Sequence, residues 1–144
     1  MIAEDIYKFS NKNIFIMQPI KNTMINQGLF HKLLYSNHIF TSNGLYIKIH
    51  FVNTKWMNGR LYYDISTNSD LLNRVAEIEK YILEKVYIYK KYHYKIYDQI
   101  KNGNLKTTNV NSNIVLKISG VWENDNSIGI SYKIITINNI ISLQ

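Results

Sequence analysis

The chain has 144 residues, an apolar fraction of 46% and a net charge of +7. Its length and apolar content are those of one globular domain, which we place over residues 1–144, and they exclude a chain that stays disordered. The absence of cysteine excludes disulfide frameworks, thiolate nucleophiles and cysteine-ligated zinc.

The beginning of the chain carries no signal for secretion. Glu4 and Asp5 stand where a signal peptide would carry basic residues, and no apolar core follows them. No stretch approaches the roughly 20 apolar residues that a membrane-spanning helix needs. We therefore expect a soluble intracellular protein that is not secreted and does not contact a membrane.

Alternation of apolar and polar residues predicts strands in the first half of the chain. One strand is expected over residues 13–20, cut short by Pro19, and another over residues 28–35, where a short helix is the alternative. The clearest alternation covers residues 45–52. One face of that strand takes Leu45, Ile47, Ile49 and Phe51, and the other takes Tyr46, Lys48 and His50.

A loop and a further strand follow. Residues 53–59 are expected to turn the chain, with Lys55 and Trp56 in the loop. Residues 60–66 are expected to form the next strand. One of its faces takes Arg60, Tyr62 and Asp64, and the other takes Leu61, Tyr63 and Ile65.

A helical pattern replaces the alternation at residue 68. Either Asn68 or Ser69 can cap a helix there. Apolar residues then recur at steps of three and four. They are Leu71, Val75, Ile78, Ile82, Val86 and Tyr89. This predicts a helix to about Tyr87, and we favour its continuation to near Gln99, although the tyrosines and isoleucines between them also suit a strand.

The last part of the sequence predicts a hairpin. A polar linker is expected over residues 105–112, followed by two alternating strands within residues 113–143 and a turn at residues 123–127. The apolar sides of these two strands take Ile114, Leu116, Ile118, Ile130, Tyr132 and Ile134, and the opposite sides take Val115, Lys117, Ser119, Ser131 and Lys133. Trp122 lies at the shoulder of this turn and Gly129 just after it. A run of short strands with one inserted helix predicts a mostly-β, OB-fold-like Greek-key barrel, with a β-sandwich as the alternative.

Motifs of a known family occur in three stretches, which read GLYIKIHFVNT, NSDLLNRVAEIEKYILEK and LKISGVWENDNSIGISYKI. They resemble the single-stranded DNA-binding protein of the T-seven group of phages, in which a long helix interrupts an OB barrel and a tryptophan precedes the turn of the closing hairpin. The stretch PIKNTMINQGLFHKLLYSNHIFTSNGLYI is similar to small proteins of nucleocytoplasmic large DNA viruses. The resemblance implies a viral protein that coats single-stranded DNA in replication, recombination and repair, with replication proteins as partners.

One feature of that phage family is missing. The phage proteins end in a long acidic tail that is implied to recruit polymerase and helicase, whereas no acid follows Asp125 in this sequence. We therefore expect either a relative that works without such a tail or a relative with another function.

The composition suits a protein that binds single strands, because cations contact phosphates and flat rings stack on bases. The sequence holds 12 Tyr, 5 Phe and 2 Trp besides its excess of cations, although AT-rich coding alone produces a similar composition. The candidate DNA-binding residues are Tyr46, Lys48, His50, Lys55, Trp56, Arg60, Tyr62, Lys117, Trp122 and Lys133. Five of them are expected to form one surface on the outward sides of residues 45–52 and 60–66, which is the usual nucleic-acid surface of an OB fold: Tyr46, Lys48, His50, Arg60 and Tyr62. Trp56 is preferred for stacking, since Trp122 at a strand end also suits a lid over the core.

A second basic and aromatic run lies between Tyr87 and Tyr97. It carries Lys90, Lys91, His93 and Lys95. This run is either a second phosphate track or the solvated face of the helix, and we favour the solvated face.

Enzyme, metal and cofactor sites find no support in the sequence. No two acids are placed for acid–base catalysis, the four histidines lack metal-ligand spacing, and no nucleotide-binding glycine motif occurs. The alternatives to a single-stranded DNA-binding protein are a virion-associated assembly protein and an RNA-binding variant. An apolar segment near the end of the chain predicts a symmetric homodimer. It contains Ile134, Ile135, Ile137, Ile140 and Ile141.

Overall fold

The computed structural model describes residues 2–22, 28–87, 89–107, 113–137 and 141–143. The fold is mostly β with one long helix, as the sequence predicts, and its sheet curls into a half-barrel. The strands are β1 (Ile2–Asp5), β2 (Ile14–Ile16), β3 (Ile20–Asn22), β4 (Gly28–Ser36), β5 (Thr41–Asn43), β6 (Leu45–Ile49), β7 (Thr54–Met57), β8 (Arg60–Tyr63), β9 (Lys91–His93), β10 (Asn104–Lys106), β11 (Asn113–Glu123), β12 (Ser127–Ile137) and β13 (Ile141–Leu143). The helices are α1 (Ser69–Val86) and α2 (Lys95–Ile100), with a 3₁₀ turn at Asn11–Asn13.

The central strand is β11. It pairs with β12 along its length, with β6 at residues 114–118 and with β4 at residues 120–123. The ladder shifts register between Ile118 and Gly120, where β11 exchanges β6 for β4. Beside this bulge, Gly44 has φ +85 and donates its N–H to the carbonyl of Leu33 at 2.7 Å. A side chain there would strain the backbone, so Gly44 allows the sheet to branch.

The other strands complete two sheets. The main sheet has the order β13-β1-β6-β11-β12-β9, and β2, β3 and β5 pair with β4. A second sheet has the order β10-β8-β7. Its hairpin turns through Asn58 and Gly59, whose positive φ angles of 51 and 77 suit a two-residue hairpin turn. Residues 45–52 and 60–66 therefore contribute to different sheets, and the prediction that their polar sides form one surface is wrong.

The core lies between the main sheet and α1. Leu45, Ile47 and Ile49 of β6 are buried, as are Leu116 and Ile118 of β11. They meet the apolar stripe of α1. The buried members of that stripe are Leu71, Val75, Ile78 and Ile82. The apolar sides predicted for β6 and β11 and the first four positions of the predicted stripe of α1 are confirmed as buried, whereas Tyr89, the last predicted position of the stripe, lies past the end of α1 and is exposed.

The predicted extension of the long helix to near Gln99 is wrong, because α1 ends at Val86 and Tyr87 is extended. The chain then reverses into β9 and α2. The carboxylate of Glu79, which is fully buried in α1, accepts hydrogen bonds from the backbone N–H groups of Ile96 and Tyr97 at 3.0 and 3.1 Å. This contact satisfies two N–H groups at the start of α2. In a continuous helix the same groups would bond to carbonyls of the preceding turn and would need no partner from Glu79.

Three smaller expectations also change. Residues 13–20 contribute to two strands, β2 and β3, which flank Pro19 and both pair with β4. The loop expected at residues 53–59 contains β7. The expected linker begins with two residues of β10, Leu105 and Lys106, while residues 108–112 lie outside the described part. The predicted strand at residues 28–35 is confirmed as β4.

A membrane-crossing helix is not found in the described ranges, since none of their helices is both long and apolar enough.

Candidate nucleic-acid interface

The face of the main sheet that points away from the core carries rings and cations at neighbouring outward positions. Trp122 is paired with Phe30 on one side and Gly129 on the other, and Lys117 is paired with Tyr46 and Lys133. Gly120, between these two rows, is paired with Lys32. We call this surface the open face. It consists of Phe30, Lys32, Tyr46, Lys117, Trp122 and Lys133.

Two glycines leave room for the rings of the open face. A Cβ atom on Gly129 would lie 2.7 Å from Cε2 of Trp122, and one on Gly120 would lie 2.8 Å from Cε2 of Phe30. Each ring therefore crosses the strand next to its own, in space that any other residue would fill. The imidazole of His93, on the far side of Gly129, lies 5.6 Å from the Trp122 ring. These rings form a row across four strands.

A basic row runs beside the aromatic one. The Lys117 amino group lies 5.7 Å from the centre of the Tyr46 ring, within cation–π range. Lys32 and Lys133 are exposed. The described outward positions of β4, β11 and β12 hold no aspartate or glutamate. Lys117 and Lys133 stand directly opposite each other, an arrangement of like charges that costs stability unless an anion compensates it.

Clefts lie on both sides of Tyr46. One of about 410 Å³ opens where the sheet branches and is lined by Phe30, Lys32, Tyr46, Lys117 and Ser119, among others. Another of about 310 Å³ shares Tyr46 and Asn43 with the first and extends to Phe40. Both volumes reach the size of small-molecule sites, and the first cleft combines rings with cations.

Lys48 and His50 lie at a less basic end of the same sheet. Lys48 is in register with Asp5 on β1, and the Nε2 atom of His50 lies 4.0 Å from Oδ2 of Asp5. Val115, the partner of Lys48 on β11, is fully buried although it is not part of the main core. This end therefore differs from the open face in both charge and exposure.

Four predicted site residues lie on the second sheet instead. Lys55 and Tyr62 are paired there, and Arg60 follows on the same face. Trp56 is in β7 rather than in a loop, and it lies on the opposite face, paired with Leu61. Its indole Nε1 donates a hydrogen bond to Oγ1 of Thr107 at 3.0 Å. The preference for Trp56 over Trp122 rested on that loop, so its premise is wrong.

The open face includes two residues that the sequence analysis missed, Phe30 and Lys32. Apolar side chains occupy both sides of the strand at residues 28–35, so this segment alone does not show which side faces outward. The usable signal was the pair of glycines at 120 and 129 around Trp122, since glycine within a strand often marks close approach by another group.

The run between Tyr87 and Tyr97 is divided among several elements rather than lying on one helix, so the favoured interpretation of a helix face is wrong. Lys90 donates to the backbone carbonyl of Asn124 at 2.8 Å and lies 3.4 Å from Oε1 of Glu123. The Nε2 atom of His31 lies 3.2 Å from Oε2 of the same glutamate. Lys90 therefore holds the turn between β11 and β12, while His93 extends the aromatic row.

Among the described residues, no group of three or more His, Asp or Glu side chains could hold a metal ion.

Comparison with known proteins gave no match: no family model, no curated protein and no solved structure is significantly similar to this chain.

Proposed function

We propose that this protein binds single-stranded DNA on its open face, without sequence preference. The observation that carries the proposal is the adjacency of an aromatic row and a basic row on a surface whose described outward positions hold no acid. Single-strand binders combine these two features, because rings stack on bases of any sequence while cations follow the phosphates.

The two rows have separate roles in this proposal. Bases stack on Trp122, Phe30 and Tyr46, each contributing about 1–3 kcal/mol by analogy with other stacking platforms. Lys32, Lys117 and Lys133 contact phosphates and displace counterions, which makes the affinity depend on salt. The like-charge contact between Lys117 and Lys133 also favours an anionic ligand, since bound phosphate would compensate it.

The biological role that we propose follows the resemblance in the sequence motifs. The protein coats and protects single strands during viral DNA replication, recombination and repair, and replication proteins are its further partners. The half-barrel is then a variant of the OB-type Greek-key barrel that the sequence motifs predict.

We also propose a homodimer, but fewer residues of the apolar end segment support it than the sequence predicts. Ile134 packs against the main core and Ile135 is half-buried, so neither requires a second subunit. The side chains of Ile137 and Ile141, and all of Ile140, lie outside the described part.

Fluorescence titration tests the proposal. We expect oligo-dT to bind more tightly than a duplex of the same length, and its affinity to fall as salt rises. Equal affinity for the duplex, or an affinity that does not change with salt concentration, would contradict the proposal. Native mass spectrometry with and without the oligonucleotide gives the second measurement: a stable oligomer that is indifferent to DNA would instead favour the assembly protein named as the alternative.

A further inference from the structure

The second sheet carries a basic surface of its own, which we call the hairpin face: Lys55, Arg60, Tyr62 and Lys106. We propose that the hairpin face is a second contact for the phosphate backbone of the same DNA strand, reached only when the strand extends beyond the open face. This inference rests on the proposed function. It adds Lys106, which the sequence analysis assigned to a linker, and it separates Lys55 and Arg60 from the residues of the open face.

The register of the second sheet brings these cations together. Arg60 is paired with Lys106 on β10, and Tyr62 is paired with Lys55 on β7. All four side chains are exposed, whereas Leu105 and Tyr63 on the other face are buried. Directly opposite residues on one face have Cβ atoms about 4.5–5.5 Å apart, so Arg60 and Lys106 present their charges side by side.

The charges of the hairpin face are not balanced within the described structure. The ion pairs found among the described residues involve other groups, and the guanidinium of Arg60 donates to the neutral amide oxygen of Asn104 at 2.9 Å. Asp64 lies just past the end of β8 and keeps its charge, with its carboxylate accepting hydrogen bonds from Ser66 and Thr67. It forms no ion pair with Lys55, Arg60 or Lys106 in the described structure, and one negative charge does not balance three cations. Adjacent like charges destabilise a sheet, so their presence favours a polyanionic ligand.

The second sheet is braced internally by Thr107 and is anchored to α2 by Tyr63. The N–H of Thr107 donates to the carbonyl of Gly59 at 2.9 Å, and its hydroxyl accepts from Trp56. The Tyr63 hydroxyl donates to the carbonyl of Ile100. Three cations on a fixed sheet lose less conformational freedom on binding than cations on a free loop would.

The two faces lie on different sheets, which predicts a dependence on DNA length. A strand of about 6 nucleotides, near the lower end of the usual site size, would occupy the open face alone, whereas one of about 20 nucleotides could contact both. Loss of charge from the hairpin face should therefore weaken binding of the longer strand and leave the shorter one unaffected.

The experiment compares a double variant, Arg60→Gln with Lys106→Gln, with the unchanged protein on oligo-dT of both lengths and at several salt concentrations. We expect severalfold weaker binding of the longer strand and a salt slope smaller by about 1.4, since each single-strand phosphate contact contributes about 0.7. The charge-matched control is Lys80→Gln with Lys85→Gln on α1, which should leave both affinities unchanged. Lys106→Arg should retain the affinity for the longer strand.

The outcomes separate this inference from the proposed function. Equal weakening at both lengths, or unchanged binding of the longer strand while Lys117→Ala still weakens it, would overturn the second contact alone. If the α1 control weakens binding as much as the double variant does, the effect comes from net charge, and the second contact is overturned. Failure of the unchanged protein to bind either strand would overturn the proposed function and this inference together.

Discussion

The indole of Trp122 lies across Gly129 on the neighbouring strand, so closely that a methyl group on Gly129 would come within 3 Å of the ring. The backbone of Gly129 therefore supports one side of the Trp122 ring. A ring held closely against a strand has lost most of its freedom before a base arrives, which favours stacking. The first two predictions test this pair.

Tryptophan fluorescence distinguishes the two tryptophans of the chain. We expect oligo-dT to quench the fluorescence of Trp56→Phe, in which Trp122 is the remaining tryptophan, because Trp122 belongs to the open face. Trp122→Phe should show little quenching, since the Trp56 indole is hydrogen-bonded to Thr107. Trp122→Ala should weaken binding by about 1–3 kcal/mol. The opposite pattern of quenching would move the stacking site to the second sheet.

Gly129→Ala should displace the Trp122 ring while leaving the sheet intact, because the contacts of the added methyl are with that side chain. We expect weaker DNA binding and altered Trp122 fluorescence with a largely retained melting temperature. The matched variant is Gly120→Ala, whose methyl would meet the backbone carbonyl of His31 as well as Phe30. That variant should lose about 1–3 kcal/mol of unfolding free energy through overpacking. Equal stability of the two variants would contradict this assignment.

Lys117→Ala should weaken binding to all sequences alike. Removing one phosphate contact should lower the slope of log affinity against log salt by about 0.7 for a single strand. Lys80→Ala removes the same charge from α1, where Lys80 pairs with Glu84, and should leave the slope unchanged. Titrations at several salt concentrations measure both. Identical slopes for the unchanged protein and Lys117→Ala would remove Lys117 from the phosphate contacts.

Substitutions at two neighbouring residues of β6 should have different effects, one on stability and the other on DNA binding. Ile47 is fully buried, so Ile47→Ala should cost about 2–5 kcal/mol of unfolding free energy by leaving a cavity in the core. Tyr46→Ala should fold with much smaller loss and bind DNA less tightly, because Tyr46 lies outward between the two clefts. Urea unfolding and DNA titration of both variants check this. A stable Ile47→Ala that cannot bind would mean that the sheet faces the other way.

Glu79 should make stability depend on pH. Burial raises the pKa of its carboxyl and outweighs the hydrogen bonds from Ile96 and Tyr97, which lower it. The native state then holds the proton more tightly than the unfolded chain does, so the contribution of Glu79 to stability is complete below the ordinary glutamate pKa and is lost as the pH rises through the raised value.

Urea unfolding over a series of pH values measures this dependence. Glu79→Gln should remove the decline in unfolding free energy, whereas the exposed Glu84→Gln should retain it. Glu79→Ala should cost about 1–3 kcal/mol for each buried N–H group that it leaves without a partner. An unchanged pH profile in Glu79→Gln would show that the carboxyl titrates normally.

The sequence was sufficient for the strands whose two sides differ in polarity. Ile47 and Leu116 had to point inward, with Tyr46 and Lys117 outward, because side chains alternate along a strand whatever it pairs with. The start of α1 and its apolar stripe also followed from local periodicity. In β4 the sequence was insufficient, since apolar residues occupy both sides, and Phe30 and Lys32 were missed for that reason.

Sequence by itself thus determined the strand character and the two sides of β6, β11 and β12, and the start of α1, because these depend on neighbours along the chain. Apart from the closing hairpin of β11 and β12, only the tertiary structure decided which strands lie side by side. It placed Arg60 on a separate sheet, because the two-residue turn at Asn58 and Gly59 pairs β8 with β7. It also brought Phe30 next to Trp122, because the bulge in β11 exchanges β6 for β4. The turn at Asn58 and Gly59 is local, but the pairing of β4 and β6 with β11 depends on hydrogen bonds between residues far apart in the chain, which no local pattern encodes.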